Sequence, residues 1–580
     1  MYDKTPYIAV SPSDRGCHSG WGDIAQTLRA AVGERQTVCV ECYPGVEIQE
    51  VREQLEAIFQ PARLISTEDL LLPAATLNRR LAPLLTDDPV FGVMNAIEIK
   101  DYFDPENLAA AQHEAEEPGE GITLVIGVGA ALVVPRHDLL IYADLARWEI
   151  QQRQRRGEIG NLSADNINEL PSLKYKRAFF LDWRAADRLK RALLTKIDFV
   201  LDTNRPQVPK MISGEAMRDG LRMAVQGPFR VVPFFDPGPW GGHWIEEVCD
   251  LPRNVPNYAW AFDCVPEENS LLLGFGKARV EIPSLNLVYA QPRELLGDNI
   301  YERFGAEFPI RFDFLDTMGG GNLSLQVHPL TQYVREKFGQ FYTQDESYYL
   351  LDAKDDACVY LGLKENIDPA AMIRDLKAAH QEGGEPFNAN LYVNRWPAKK
   401  HDHFLIPAGT VHCSGRNSMV LEISATPYIF TFKLWDWGRM GLDGRPRPIH
   451  LERGVANVQW DRTAEWVRRS LINRIEPLST GDGWHEERTG LHEFELIETR
   501  RHWFTGTVPH DTCGTVNVLN LVEGRQAVVE SPTNAFPRFV VNYAETFIVP
   551  AQVGRYTIRP CGPAEGTQCA TIKAFIRAQR

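Results

Sequence analysis

The hydrophobic pattern changes its period near residue 228, and that change commits the chain to a composite fold. Upstream, strands and helices alternate: TVCVECYPGV, from residue 37, reads as a strand. The Ile48, Val51, Leu55, Ile58 and Phe59 that follow keep the 3.6-residue spacing of a helix with one buried face. Ile122 to Val128 and Leu139 to Ala143 read as two further strands, and Trp148 to Gly157 (WEIQQRQRRG) as a basic helix. Such alternation predicts an α/β domain with a mostly parallel sheet, ending near the TNRPQVPK stretch at 203–210. Downstream, short β-rich runs broken by Gly and Pro predict barrels or sandwiches, interrupted by a helical insert near 365–385 (PAAMIRDLKAAHQEG).

An internal echo divides the β-rich part. FLIPAGTVH at 404–412 is matched by FIVPAQVGR at 547–555, with His412 in the first copy where Arg555 stands in the second. Two related barrels are expected, only the first holding a metal. At 580 residues the chain has room for roughly three or four domains. We expect an α/β domain over 1–205, a metal-binding barrel over 206–470 and a metal-free barrel over 471–580.

A formal charge of −15 argues against nucleic acid as a partner, because phosphate neutralisation needs clustered Lys and Arg. A small polar ligand in a local basic pocket stays compatible with it. No basic segment leads into an apolar run at the start, and no stretch approaches the roughly 20 apolar residues of a membrane span, so a cytoplasmic protein is expected. The ten cysteines have no regular spacing, which suits reduced thiols, and the lone Cys39/Cys42 pair reads as buried strand residues.

The strand-turn-helix at 37–59 and the run LLIYADLARWEIQQRQRRG resemble parts of a P-loop nucleoside kinase domain of the uridine kinase type. A phosphate loop needs converging glycine amides followed by Lys and a hydroxyl residue, whereas this turn reads Tyr43-Pro44-Gly45-Val46. The domain is therefore read as a degenerate kinase-like one that does not transfer phosphoryl groups. Gly127-Val128-Gly129 lacks a third glycine and Gly274-Phe275-Gly276-Lys277 lacks a following hydroxyl, so both are read as turns.

In LSLQVHP, residues 323–329, strand alternation turns Gln326 and His328 to one face, a spacing that suits two ligands of one ion. Glu346 opens a second strand, ESYYLLDA, and His412 follows the Pro407-Ala408-Gly409 turn at the end of a third. Three strands of a barrel can bring these side chains together. Imidazole, carboxylate and amide donors suit zinc, and manganese, iron or cobalt also accept such a set.

The runs FLDTMGGGNLSLQVHP, ESYYLLDAKDDACVYLGLK, FLIPAGTVHCSG and FKLWDWGRMGLDGRPRPIHLE, preceded by PGPWGGHW, resemble in order the motifs of type I mannose-6-phosphate isomerases of the cupin superfamily. The likeness runs from about 228 to 580. It implies two jelly-roll cupin barrels, with Gln326, His328, Glu346 and His412 as ligands of one Zn2+. It also implies interconversion of mannose 6-phosphate and fructose 6-phosphate through a cis-enediol. Glu422 is the candidate base, Lys433 and Arg439 are candidates for stabilising the enediol or phosphate, and Ser324 and Trp240 candidates for binding the sugar phosphate.

Two positions depart from that family's pattern. Gln344 stands where a lysine is usual two residues before the metal glutamate, and Asp313 where one is usual in the strand before QVHP. Arg311, Lys399 and Lys400 are candidate replacements for the lost charge. The departures leave two alternatives open: a cupin isomerase or epimerase for another or unphosphorylated sugar, and a non-catalytic sugar-binding regulator.

Overall fold

The computed structural model describes residues 1–11, 16–33, 36–117, 119–381, 383–426 and 428–577. Glu382 of the helical insert and Pro427 of the LEISATPY run lie outside them. Backbone contacts divide the chain into two compact units. One holds Tyr7–Ala224 with Glu268–Gln291, the other Met1–Pro6, Val225–Glu267 and Pro292–Arg580.

The first unit is built on five parallel strands: β1 (Thr37–Cys42), β2 (Arg63–Ser66), β3 (Thr123–Gly127), β4 (Leu139–Asp144) and β5 (Phe199–Asp202). An antiparallel strand, β6 (Lys210–Ser213), follows and pairs with the two-residue edge strand His18–Ser19, so the seven-stranded order runs from His18–Ser19 through β6-β5-β4-β1-β3-β2. Every residue of β4 is buried, as strands covered on both faces must be. Helix α1 (Ile48–Phe59) buries Val51, Leu55, Ile58 and Phe59.

The basic helix, α2 (Arg147–Arg155), is not a solvated face. Arg147 pairs with buried Asp187, and Arg153 donates to the carbonyls of Gly45 and Thr203 at 2.9 and 2.6 Å, satisfying acceptors at the strand ends. The TNRPQVPK stretch is an internal turn into β6, and the compact unit continues beyond it to Ala224. The unit also takes back a hairpin, Ser270–Phe275 with Ala278–Pro283, whose first strand pairs in parallel with Tyr7–Ala9. Gly276, at φ 59°, forms its turn.

In the second unit, residues 234–435 contribute two antiparallel sheets. The six-stranded one holds β7 (Trp260–Cys264), β8 (Arg311–Asp316), β10 (Asp345–Ala353), β13 (His403–Ile406) and β15 (Ser418–Ala425), with Phe234–Asp236 at its edge. The five-stranded one has the order β12-β11-β14-β9-β16, formed by β9 (Leu325–Val327), β11 (Cys358–Leu363), β12 (Val393–Pro397), β14 (His412–Ser414) and β16 (Phe432–Trp435). The helical insert, Pro369–Ala379, leaves between β11 and β12, and the Asp368 side chain caps it by accepting from the Ala370 and Ala371 amides.

Residues 476–576 make a further six-stranded and four-stranded sheet, with Leu519, Val529, Phe547 and Tyr556 in the core between them. The internal echo has a structural counterpart. Strand Thr546–Val549 runs into Pro550 as β13 runs into Pro407, and Arg555 opens a strand as His412 does. The Arg555 side chain, however, is 86% exposed.

Candidate metal centre

Gln326 lies on β9 and His328 one residue beyond its end, while His412 opens the neighbouring β14 in register with Gln326. Glu346 comes from β10 in the six-stranded sheet. The two sheets meet at these side chains. Glu346 Oε2 stands 3.0 Å from His328 Nε2, Glu346 Oε1 stands 3.0 Å from His412 Nε2, and the Gln326 amide lies 3.3 Å from His412 Nε2. Both imidazoles and the carboxylate are fully buried.

The protonation pattern tests whether an ion fits. His328 Nδ1 donates to the Phe430 carbonyl and His412 Nδ1 to the Thr410 carbonyl, each at 2.8 Å. Each bond fixes the tautomer and leaves Nε2 with a lone pair. In the neutral tautomers two nitrogen lone pairs and a carboxylate thus face one another in a dry interior, an arrangement that repels itself unless a metal cation or a proton on Nε2 sits among them. Donor atoms of a tetrahedral zinc at 2.0–2.1 Å lie about 3.3 Å apart, close to the spacings here. These three are the one metal-capable His/Cys/Asp/Glu group among the described residues. Exchanging amide oxygen and nitrogen in Gln326 would turn an acceptor toward the same point.

Gln344 and Asp313 stand beside this centre. The Gln344 amide donates to Glu346 Oε2 at 2.9 Å and Glu422 Oε1 at 3.4 Å, and its carbonyl accepts from the Phe430 amide. Asp313 faces Glu422 in register across β8 and β15. Burial, then the neighbouring Glu346 and Asp313 carboxylates, push the Glu422 carboxyl well above its ordinary range.

The cations gather beside Gln326, whose other register partner is Lys433 on β16. Asp436 accepts from Ser324 Oγ at 2.8 Å, from Arg439 at 2.7 Å and from Arg447 at 2.8 Å. Burial, then the Arg447 guanidinium, push the Lys433 ammonium down to about 7. One carboxylate against two guanidiniums and an amine leaves the cluster cationic. Arg447 was not singled out in the sequence, and its one signal is its place between two prolines in GRPRP. Arg439 also donates to the Asn322 carbonyl at 2.5 Å, so its guanidinium is engaged in holding the strand. Trp240 packs edge-on against Trp260 at 4.7 Å, and its carbonyl accepts the Gly321 amide beneath the Gly319–Gly321 turn. Lys400 pairs with Glu523 at 2.6 Å.

A family profile described as "Domain of unknown function (DUF8485)" matches residues 20–226. The chain has mannose-6-phosphate isomerases among its relatives. One, from Streptococcus mutans, is 27% identical over 218 residues, 37% of this chain and 63% of the relative, so the match spans under two thirds of that protein. A probable mannose-6-phosphate isomerase of Bacillus subtilis is 22% identical over 333 residues, 57% of this chain and 96% of the relative. Among solved structures, a mannose 6-phosphate isomerase from Bacillus subtilis is matched over 60% of this chain and 100% of its own, at 18% identity and a TM-score of 0.49.

Proposed function

We propose that this chain interconverts mannose 6-phosphate and fructose 6-phosphate at a zinc ion held by Gln326, His328, Glu346 and His412 in the first of two cupin barrels. The observation that carries the reading is the meeting of the His328, His412 and Glu346 lone pairs at 3.0 Å in a buried site. The relatives named mannose-6-phosphate isomerases support the choice of substrate. When bound, the ion supplies Lewis-acid polarisation of the sugar oxygens on C1 and C2.

The chain's own residues do the rest. Glu422, as the carboxylate that a cation at Glu346 favours by offsetting that neighbour's charge, takes the C2 proton of the aldose and returns it to C1, while the O2 proton passes to O1. Gln344 holds that carboxyl in place. Lys433 and Arg447, with Ser324 and Arg439 fixed around Asp436, form the cationic wall that receives the phosphate. Trp240 supports the glycine turn that leads into β9. In this reading the α/β domain takes no part in the chemistry, the 471–580 barrel is metal-free, nucleic acid is not a partner, and the enzyme works in the cytoplasm.

The test is turnover of mannose 6-phosphate by zinc-loaded protein, followed as fructose 6-phosphate, and its loss in His412→Ala. Binding without turnover would favour a sugar sensor. Gln344 and Asp313 favour a second reading, in which an unphosphorylated sugar is the substrate; faster turnover of free mannose selects it.

A further inference from the structure

The α/β unit contains a crevice that plays no part in the metal chemistry. It has a volume of about 300 Å³ and is lined by residues that follow the carboxyl ends of β1, β2, β3 and β4, among them Val46, Thr67, Val128 and Gln154. The neighbours β1 and β3 send the chain in opposite directions across the sheet: β1 leads on to β2 at one edge, and β3 leads back past β1 to β4. Open α/β sheets take ligands at such reversals, outside the carboxyl ends of their strands.

The lining decides the class of ligand. Among the described residues no Lys or Arg lines the crevice, the Arg177 guanidinium standing 4.0 Å from Asp182. Glu41, near the end of β1, already accepts from the Gly129 and Ala131 amides at 2.6 and 2.9 Å, so its carboxylate occupies the place an anion would take at the Gly127-Val128-Gly129 turn. What the crevice offers instead is hydrogen-bond acceptors. Gln154 is 3% exposed, and its Oε1 has no hydrogen-bond partner among the described residues. A buried carbonyl left so is destabilising, and a ligand hydroxyl would relieve it. Asp182, at the end of a π-turn (Ala178–Asp182), is held in the wall by Tyr102 and Asn161, each at 2.9 Å. π-turns recur at functional sites. Val46, Ile150 and Leu162 supply apolar walls between these polar groups.

We infer that this crevice binds one unphosphorylated monosaccharide, with its hydroxyls donating to Gln154 and Asp182 and its C–H faces against Val46, Ile150 and Leu162. The volume lies at the lower end of small-molecule sites, which run from about 300 to 1,000 Å³, as one sugar ring requires. The inference does not rest on the isomerase reading.

Calorimetric titration of the full-length, metal-loaded protein with D-mannose, D-glucose and D-ribose tests it, alongside Gln154→Leu and Leu162→Trp. The second variant fills the mouth of the crevice from a half-buried position. The expected result is a saturable event for at least one sugar, weakened about 10-fold or more by Gln154→Leu. Leu162→Trp should abolish the event, and metal content should be unchanged in both variants. Sugar binding that survives both substitutions overturns the inference. So does an absence of binding up to tens of millimolar, or uridine or inorganic phosphate proving the tighter ligand at this crevice.

Discussion

Gln344 and Glu346 are joined by a 2.9 Å hydrogen bond, and through Phe430 the same glutamine reaches His328. Its carbonyl accepts the Phe430 amide, and the Phe430 carbonyl accepts His328 Nδ1. Gln344→Ala removes a support from the carboxylate and from this imidazole at once. Loss of such outer partners lowers metal affinity about 10–100-fold, measurable by competition with a chelator.

If the site holds a metal, its removal leaves acceptors facing acceptors at 3.0 Å. Chelation should therefore lower the Tm, and excess zinc should restore it. At a free metal concentration of 100 Kd the linkage amounts to about 2.7 kcal/mol. His412→Ala should abolish this metal-dependent shift together with turnover. Cys39→Ser, in the buried β1 of the other unit, should leave both intact.

Arg447 contributes charge and one of the hydrogen bonds that fix Asp436 beside Ser324. Arg447→Ala should reduce kcat/KM for a sugar phosphate by about 10–100-fold, the equivalent of one or two charge-assisted hydrogen bonds. Activity on an unphosphorylated sugar should change far less. Steady-state kinetics on the two substrates separates a phosphate role from a structural one.

The Lys433 ammonium is pushed down to about 7 by burial and by Arg447. A depressed lysine loses its proton as pH rises through that value, so Lys433 in the free protein is cationic below about pH 7 and neutral above it. If Lys433 receives the phosphate, KM should climb from pH 7 to pH 9. Lys433→Arg keeps its charge throughout this range and should flatten the profile.

The meeting of Gln326, His328, Glu346 and His412 was legible because strand alternation sets Gln326 and His328 on one face and the resemblance to the isomerase motifs joins them to Glu346 and to His412 after the Pro407-Ala408-Gly409 turn. Helix α1 was legible from its 3.6-residue period. The interior of the α/β unit was not. Arg147 and Arg153 look like solvent charges in sequence, since their partners Asp187, Gly45 and Thr203 lie 40 to 108 residues away. The Asp436 cluster was half legible: Ser324, Lys433 and Arg439 sit in recognisable motifs, but Arg447 joins them only through the fold of the GRPRP segment. The return of residues 268–291 to the α/β unit was hidden for the same reason, as its partner strand lies near the start of the chain.

That return sets a timetable for synthesis. Tyr7 pairs with Leu272, so the strand made first waits for its neighbour while some 265 further residues are added. At 5–20 residues per second the wait is roughly 13 to 50 seconds. During it the Tyr7–Ala9 strand has none of the partner strand it needs, and its backbone hydrogen bonds stay open to water or to any other strand.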